Sequence, residues 1–311
     1  MSTLLISHPS FLEHDPGEYH PECPDRLRAV MAALEDESFA LLHRAAATAA
    51  TLEQLQRVHP ENYVEAILGI QPPAGELVMI DPDTAMSAGS AEAALHAAGA
   101  VVAGVDAVFD GSGIDTAFAA VRPPGHHATP DVPGGFCLFN NVAIGARHAQ
   151  AQYGIARVAI LDFDVHHGQG TQAVVEVDAS LFYGSSHQYP LYPGTGSARE
   201  HGIDGNVVNV PLAPNSGSGE FRAGWSERIL PRLDRFAPEL LIVSAGFDAH
   251  KRDPLAQLRL ETDDFRWITE QLMSIADRHG KGRVVSALEG GYDLEALAAA
   301  TAAHVRALMR V

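Results

Sequence analysis

The chain has only two cysteines, Cys23 and Cys137, among its 311 residues. Two cysteines cannot build the disulfide framework of a small secreted protein, so we expect a protein of the reducing cytoplasm. No uninterrupted apolar run reaches the roughly 18 residues that favour a membrane-spanning helix. The first seven residues (MSTLLIS) lack the basic segment and the long apolar segment of a secretory signal, and we expect none.

Positive charge is also scarce. Lysine and arginine together number 21 against 39 aspartates and glutamates, which gives a formal net charge of −18. Such a chain is not expected to bind nucleic acid directly, and its field favours cationic substrates. Hydrophobic residues make up 46% of the chain, enough for a sizeable core. Association into a homo-oligomer stays open.

The sequence contains no Pro/Gly/Ser-rich linker and no internal repeat, so residues 1–311 are expected to form one domain. Strand-like and helix-like segments alternate, which predicts an α/β fold with a mainly parallel sheet. Strands are predicted at Leu4–Ser7, Asp115–Val121, Val158–Asp162, Ser180–Gly184, Asn206–Val210, Glu239–Ala245 and Arg283–Leu288. Helices are predicted near Cys23–Leu34, Thr51–Val58, Glu61–Gly69, Ala88–Phe109, Asn141–Tyr153, Gly219–Phe236, Asp263–His279 and Leu294–Met309, with a capping box from Thr51 to Gln54.

Polar, glycine-rich loops follow most of these strands. In open α/β sheets, ligands bind beyond the carboxyl ends of the strands, so the loops are expected to meet at one site. They read RPPGHH from Arg122, DVHHG from Asp164, SHQY from Ser186, FDAH from Phe247 and EGGY from Glu289.

The loop after the strand Val158–Asp162 predicts a metal site. Side chains alternate along a strand, so Asp162, Asp164 and His166 project from the same side. Three such groups at the end of a buried strand are costly unless a cation or hydrogen bonds compensate them. Asp248, at the end of another apolar strand, is the best further ligand. With Asp164 and His166 it would suit Zn²⁺ with an open coordination position. The alternative is that the two aspartates only cap the next helix.

Two further loops carry candidate catalytic groups. Imidazoles beside a metal, as at His126 and His127, are suited to general acid–base catalysis near neutral pH. The alternative for this pair is one structural histidine bonded to a carboxylate. Two glycines allow Tyr292 to turn back over the site, where a phenol could stabilise an oxyanion. Tyr292 could instead be a buried aromatic, and Phe136 could line a narrow channel or belong to the core.

Taken together, these motifs resemble those of the zinc-dependent histone deacetylase family, with its arginase–deacetylase fold, and most closely the class II branch and its bacterial amidohydrolase relatives. The resemblance implies a three-layer fold with helices flanking the sheet. Seven motifs occur in family order: HPECPDRL from His20, RPPGHHA from Arg122, GFCLFNN from Gly135, DFDVHHG from Asp162, YPGTG from Tyr192, AGFD from Ala245 and EGGY from Glu289.

The resemblance assigns roles to the polar residues. It implies that Asp164, His166 and Asp248 bind one zinc ion. It implies that His126 and His127 bind and activate the water, with His127 favoured as the proton shuttle.

It also assigns the residues around the substrate. Tyr292 would polarise the acyl carbonyl, and Phe136 and Tyr192, with Gly135, would wall the acyl-lysine channel. Arg26 would line an acetate exit path.

Asp162 has two implied roles. It would support His126, and it would bind a structural potassium ion together with the backbone around His166 and Ser185.

Two residues depart from the family pattern. Gln169 stands where relatives usually carry Asp or Asn, and a neutral amide cannot stabilise an imidazolium as a carboxylate would. Tyr192 replaces the more usual phenylalanine.

The expected activity is therefore hydrolysis of an acylated amine, most simply acyl-lysine. A polyamine deacetylase is the nearest alternative. Polyamine-selective relatives are expected to carry an acidic residue near the position of Leu255. Asp253 could supply that acid if its loop turned inward. An arginase-like ureohydrolase would need a second metal, and a non-catalytic acyl-lysine binding module would be expected to lack Tyr292 or a histidine.

Overall fold

The structure is a computed structural model that describes residues 2–311. Within them the strands are β1 Ser2–Ser7, β2 His43–Ala46, β3 Val78–Met79, β4 Ala85–Met86, β5 Ile114–Ala119, β6 Val158–Asp162, β7 Leu181–Gln188, β8 Val207–Leu212, β9 Leu240–Ala245 and β10 Val284–Leu288. The α-helices are α1 Pro24–Ala33, α2 Leu52–Leu55, α3 Glu61–Gly69, α4 Ser90–Phe109, α5 Asn141–Tyr153, α6 Gln169–Val175, α7 Ser218–Gly224, α8 Leu230–Phe236, α9 Thr262–His279 and α10 Leu294–Met309.

Eight strands form one sheet in the order β2-β1-β5-β10-β9-β6-β7-β8, and every neighbouring pair is parallel. Strands β3 and β4 form a separate antiparallel pair. The central strands β6, β9 and β10 are buried along their whole length, as expected for a parallel sheet covered on both faces by helices. The predicted α/β class and layered architecture are confirmed.

Several elements differ from the sequence-based predictions. Strand β2 (HRAA) was not predicted because it is fully exposed at the sheet edge and has no alternating apolar pattern. Helix α6 begins at Gln169, directly after the DFDVHHG loop, and its N-cap residue Gly168 has no side chain that could have marked its start. The helix predicted at Gly219–Phe236 is present as α7 and α8, joined by the π-helical turn Trp225–Ile229. The capping box between Thr51 and Gln54 is confirmed.

Helix α4 is long and apolar enough to cross a membrane when judged by length and composition alone, but 61% of its most apolar window is buried inside the fold. Its small side chains pack against α5 and β5. Glu92, His96 and Asp106 interrupt its apolar sequence, which is why no continuous run was found. These are the properties of a core helix in a globular domain.

Candidate active site

Asp164, His166 and Asp248 meet beyond the carboxyl ends of β6 and β9, which are neighbours in the sheet. One ligand atom from each residue lies within 4.8 Å of the others. His166 Nδ1 lies 3.2 Å from Asp164 Oδ1 and 3.1 Å from Asp248 Oδ2. The structure thus brings together the three predicted zinc ligands. Asp164 and His166 follow β6, and Asp248, 82 positions after His166, follows β9.

Backbone amides orient both carboxylates. Val165 N donates to Asp248 Oδ1 over 2.8 Å, and Gly290 N donates to Asp164 Oδ2 over 2.8 Å. The second oxygen of each carboxylate is the one that faces His166. Each aspartate therefore has one oxygen turned towards the shared centre, and in Asp164 this oxygen also accepts from His166 N over 2.9 Å.

The residues of this centre fit a divalent cation. A Cβ atom at Gly246 would lie 2.0 Å from Asp164 Oδ2, and one at Gly290 would lie 2.1 Å from Asp248 Oδ2, so both positions require glycine. Burial alone would lower the pKa of His166, but its hydrogen bonds to Asp164 and Asp248 outweigh burial and raise that pKa to about 10. A positive charge at this centre would therefore stabilise the two buried carboxylates. One imidazole with two carboxylates is a donor set suited to zinc with an open coordination position.

The tandem histidines lie beside this centre, with ring centroids 3.9 Å apart. His126 Nδ1 is 3.0 Å from Asp162 Oδ2, an oxygen that also accepts the Tyr183 hydroxyl over 2.9 Å. His127 Nδ1 is 2.7 Å from Gln169 Oε1. Each imidazole is therefore oriented through Nδ1, which leaves Nε2 to face the site.

The surroundings push the two histidine pKa values apart. Burial opposes charge on His126, but Asp164 and Asp162 outweigh it and hold its pKa well above the ordinary value. Burial, followed by repulsion from His126, holds the pKa of His127 well below the ordinary value. A bound divalent cation would oppose the rise at His126. Opposed pKa values in a pair are typical of groups that divide acid and base roles, and the lowered pKa keeps His127 neutral and therefore able to accept a proton.

A cavity of about 290 Å³ leads to this centre. Phe136 and Tyr192 form aromatic walls, as the resemblance implied. Gly135 has a φ of +56°, and a Cβ there would lie 2.4 Å from the His127 ring, so only glycine lets this loop pass so close to the histidine. The lining residues are Pro21, Asp83, Pro124, His126, His127, Gly135, Phe136, His166, Leu191, Tyr192, Leu255, Gly290 and Tyr292.

Tyr292 closes one side of the cavity. Its ring meets that of Phe136 edge-on at 6.0 Å, and its backbone N donates to Asp253 Oδ2 over 2.7 Å. Burial, reinforced by Asp248 and Asp164, raises the pKa of Tyr292 well above its ordinary value against the opposing effect of Arg26. The phenol is therefore neutral and keeps its O–H as a hydrogen-bond donor.

Arg26 packs against the ring of Tyr292. Its guanidinium carbon lies 4.9 Å from the Tyr292 ring centroid, behind the ring, and Arg26 does not line the cavity. Its nitrogens donate to Gly291 O, Glu289 O and Glu22 Oε1. Arg26 thus holds the glycine turn that carries Tyr292. The acetate exit path that the resemblance implied at Arg26 stays a prediction.

Asp162 and Ser185 are register partners on β6 and β7. Asp162 Oδ1 accepts from Asp164 N over 3.1 Å, and Ser185 Oγ lies 2.9 Å from His187 Nδ1. Both residues are fully buried. The potassium site that the resemblance implied at these residues stays a prediction.

The sequence reasoning missed two polar residues of the site. Tyr183, inside β7, gave no signal because tyrosine is common in strands. Glu289 stood within the quoted EGGY loop, yet it was given no role in the chemistry. The available signal at Glu289 was a carboxylate placed directly after a wholly apolar strand.

Comparison with known proteins agrees with this geometry. A family model for the histone deacetylase domain matches residues 20–308. The chain is 39% identical to histone deacetylase 14, chloroplastic, of Arabidopsis thaliana, over 98% of this chain and 76% of that protein. It is also 39% identical to the histone deacetylase-like amidohydrolase of Pseudomonas aeruginosa, over 88% of this chain and 72% of that protein. The crystal structure of the HDA15 HD domain superposes with a TM-score of 0.92 at 35% identity, over 99% of this chain and 88% of that one.

The fold and the site together define a hydrolase of the arginase–deacetylase fold. Within that class, the chain belongs to the histone deacetylase family. One relative is named chloroplastic, so the cytoplasmic location stays a prediction for this chain.

Proposed function

We propose that this protein is a zinc-dependent deacylase that removes an acetyl or similar short acyl group from an acyl-lysine side chain. The observation that carries the proposal is the buried Asp164–His166–Asp248 centre at the base of an aromatic channel, beside two histidines and a tyrosine. A structural potassium ion at Asp162 and Ser185 is part of the same proposal.

The residues of the chain divide the reaction among them. The methylene stem of the acyl-lysine would lie between Phe136 and Tyr192. Its nitrogen would enter the channel as part of the neutral amide and not as an ammonium group. Zinc, when bound, supplies a Lewis acid that polarises the acyl carbonyl and acidifies water. His127 accepts a proton from the attacking water, and a histidine of the pair returns one to the leaving amine. The Tyr292 O–H donates to the acyl oxygen as it gains negative charge.

The position of Asp253 favours acyl-lysine over an acetylated polyamine. Its Oδ1 accepts from Leu255 N over 2.9 Å and its Oδ2 accepts from Tyr292 N over 2.7 Å, so both oxygens are committed to the backbone. Asp253 is only 8% exposed, and the apolar Leu255 lines the cavity instead. This loop therefore offers no free carboxylate to a distal ammonium group.

Asp83 supports the alternative substrate. It is the one carboxylate among the residues that line the described cavity, and it lies on the loop between β3 and β4. A carboxylate at that place could meet the second ammonium group of an acetylated diamine. A polyamine deacetylase is therefore the second candidate.

We expect the enzyme to prefer an acetyl-lysine peptide over N-acetylputrescine by at least about tenfold in kcat/KM, or about 1.4 kcal/mol in transition-state binding. Both substrates should be measured with the wild type and with Asp83→Asn. A polyamine preference that Asp83→Asn abolishes would establish the second candidate. An enzyme that hydrolyses neither these nor other acylated amines would contradict the proposed function itself.

Gln169→Glu should shift the pH profile. The structure favours Glu over Asp here, because Glu has the same length as Gln and would keep an oxygen about 2.7 Å from His127 Nδ1. A carboxylate at that distance favours the imidazolium form and raises the pKa of His127. His127 acts as a base only when neutral, so activity is lost as pH falls through its pKa. The acid limb of kcat/KM should therefore move to higher pH.

Gln169→Met is the matched neutral control, because it keeps the side-chain length and removes the hydrogen bond without adding charge. Its acid limb should not move to higher pH. If Gln169→Glu leaves the limb of kcat/KM where the wild type has it, then His127 is not the group that controls this limb. The profile reports the coupled histidine pair as a whole.

A further inference from the structure

Glu289 is a buried carboxylate that does not line the cavity, and its side-chain hydrogen bonds go to groups other than the metal-binding residues. It follows β10 and is 1% exposed. Its Oε2 accepts from Gly125 N over 2.7 Å and from His126 N over 3.2 Å, and its Oε1 accepts from Ser244 Oγ over 3.0 Å. One side chain thus accepts hydrogen bonds from two successive backbone amides at the start of the tandem histidines.

The main chain at Glu289 links the remaining parts of the site. Its carbonyl accepts from Arg26, and the next amide, Gly290 N, donates to Asp164 Oδ2. Tyr292 follows two residues later. The carboxylate therefore ties the histidine loop to the same chain segment that orients a metal-binding aspartate and carries the oxyanion donor.

We propose that Glu289 is a positioning residue, whose carboxylate fixes the backbone of His126 and His127 relative to Asp164 and Tyr292. The inference rests on the proposed function, because it concerns the geometry of that reaction. Buried amides do not remain unpaired, so without this acceptor the loop must move to find other partners. A displacement of about 1 Å at a catalytic group can lower the rate about 10²-fold.

A purely electrostatic role makes a different prediction. If the negative charge of Glu289 acted on His126, then removing the charge would suffice to impair catalysis. Glu289→Gln separates the two roles. Its amide oxygen can still accept from Gly125 N and His126 N, and its amide nitrogen can donate to Ser244 Oγ, since a hydroxyl also accepts.

The test compares Glu289→Met with Glu289→Gln on an acetyl-lysine peptide. Methionine has a similar length and fills the site without an acceptor. We expect Glu289→Met to lower kcat about 10²-fold with KM changed by less than about threefold, and Glu289→Gln to stay within about threefold of wild type. Zinc content should equal that of the wild type in both variants. Ser244→Ala, which removes only the bond at Oε1, is the matched control and should keep wild-type kcat.

Hydrogen exchange of the peptide spanning residues 122–128 gives a readout that does not depend on activity. Protection of this segment should fall in Glu289→Met and persist in Glu289→Gln. Should Glu289→Met fail to fold, Glu289→Asp decides, because it keeps the charge but falls one methylene short of the amides. It should show the same loss of kcat and protection.

The other outcomes overturn the inference. Wild-type kcat in Glu289→Met, or in Glu289→Asp where that variant decides, would show that the carboxylate positions nothing. Equal losses in Glu289→Met and Glu289→Gln would assign the effect to charge, and loss of zinc with loss of kcat would assign it to the stability of the metal centre. A wild-type protein without deacylase activity would count against the proposed function instead, and hydrogen exchange would then decide on Glu289 alone.

Discussion

Dialysis against a strong chelator should abolish hydrolysis of an acetyl-lysine peptide, and Zn²⁺ or Co²⁺ should restore it. Asp164, His166 and Asp248 supply three ligand groups for the cation. Removing the cation would remove the Lewis acid that the proposed reaction requires. Elemental analysis should find one zinc ion per chain. Full activity in metal-free enzyme would contradict this prediction, and two divalent ions per chain would favour the ureohydrolase alternative.

A glycine variant provides a sharper form of the same experiment. Gly290→Ala would place a Cβ 2.1 Å from Asp248 Oδ2 and 2.6 Å from Asp164 Oδ2, so it should lose both zinc and activity. Gly219→Ala is the matched control: a Cβ at Gly219, in helix α7, would meet nothing within 4 Å. The control should bind zinc and turn over substrate like the wild type. If Gly290→Ala retains its zinc, the metal lies elsewhere.

Tyr292→Phe should lower kcat by about 10²–10³, the usual effect of removing one oxyanion donor. The ring contact with Phe136 and the stacking under Arg26 do not need the hydroxyl, so the fold and the zinc content should not change. The variant should lose less activity on a trifluoroacetyl substrate, because the carbonyl of that substrate is already electrophilic. This substrate serves as the comparison. Wild-type kcat in this variant on the acetyl substrate would make Tyr292 a structural aromatic.

The sequence predicted the central strands well because they are short apolar runs that end in polar loops. Strand β6 matches its predicted bounds, Val158–Asp162, and β9 and β10 differ by a single residue at their starts. The convergence of their loops follows from parallel topology alone, so the grouping of Asp164, His166 and Asp248 was also predictable.

Other features depended on tertiary contacts that no local pattern records. The exposed edge strand β2 is defined by its pairing with β1, and its own residues give no strand signal. Arg26 lies behind Tyr292 because it donates hydrogen bonds to the carbonyl oxygens of Gly291 and Glu289. A motif match cannot show these contacts. Glu289 accepts hydrogen bonds from backbone amides more than 160 positions earlier in the chain, so the residues next to it in the sequence could not predict these partners.

The order of the strands has a consequence for biosynthesis. Asp164 and His166 are translated well before Asp248, and the amide that fixes Asp164 belongs to Gly290, near the end of the chain. A nascent chain that ends before β10 therefore contains all three candidate ligands but lacks the Gly290 amide that holds Asp164. If the proposed zinc site is correct, selective metal capture follows synthesis of almost the whole chain. An ion bound only by the finished fold would then stabilise it by mass action against unfolding.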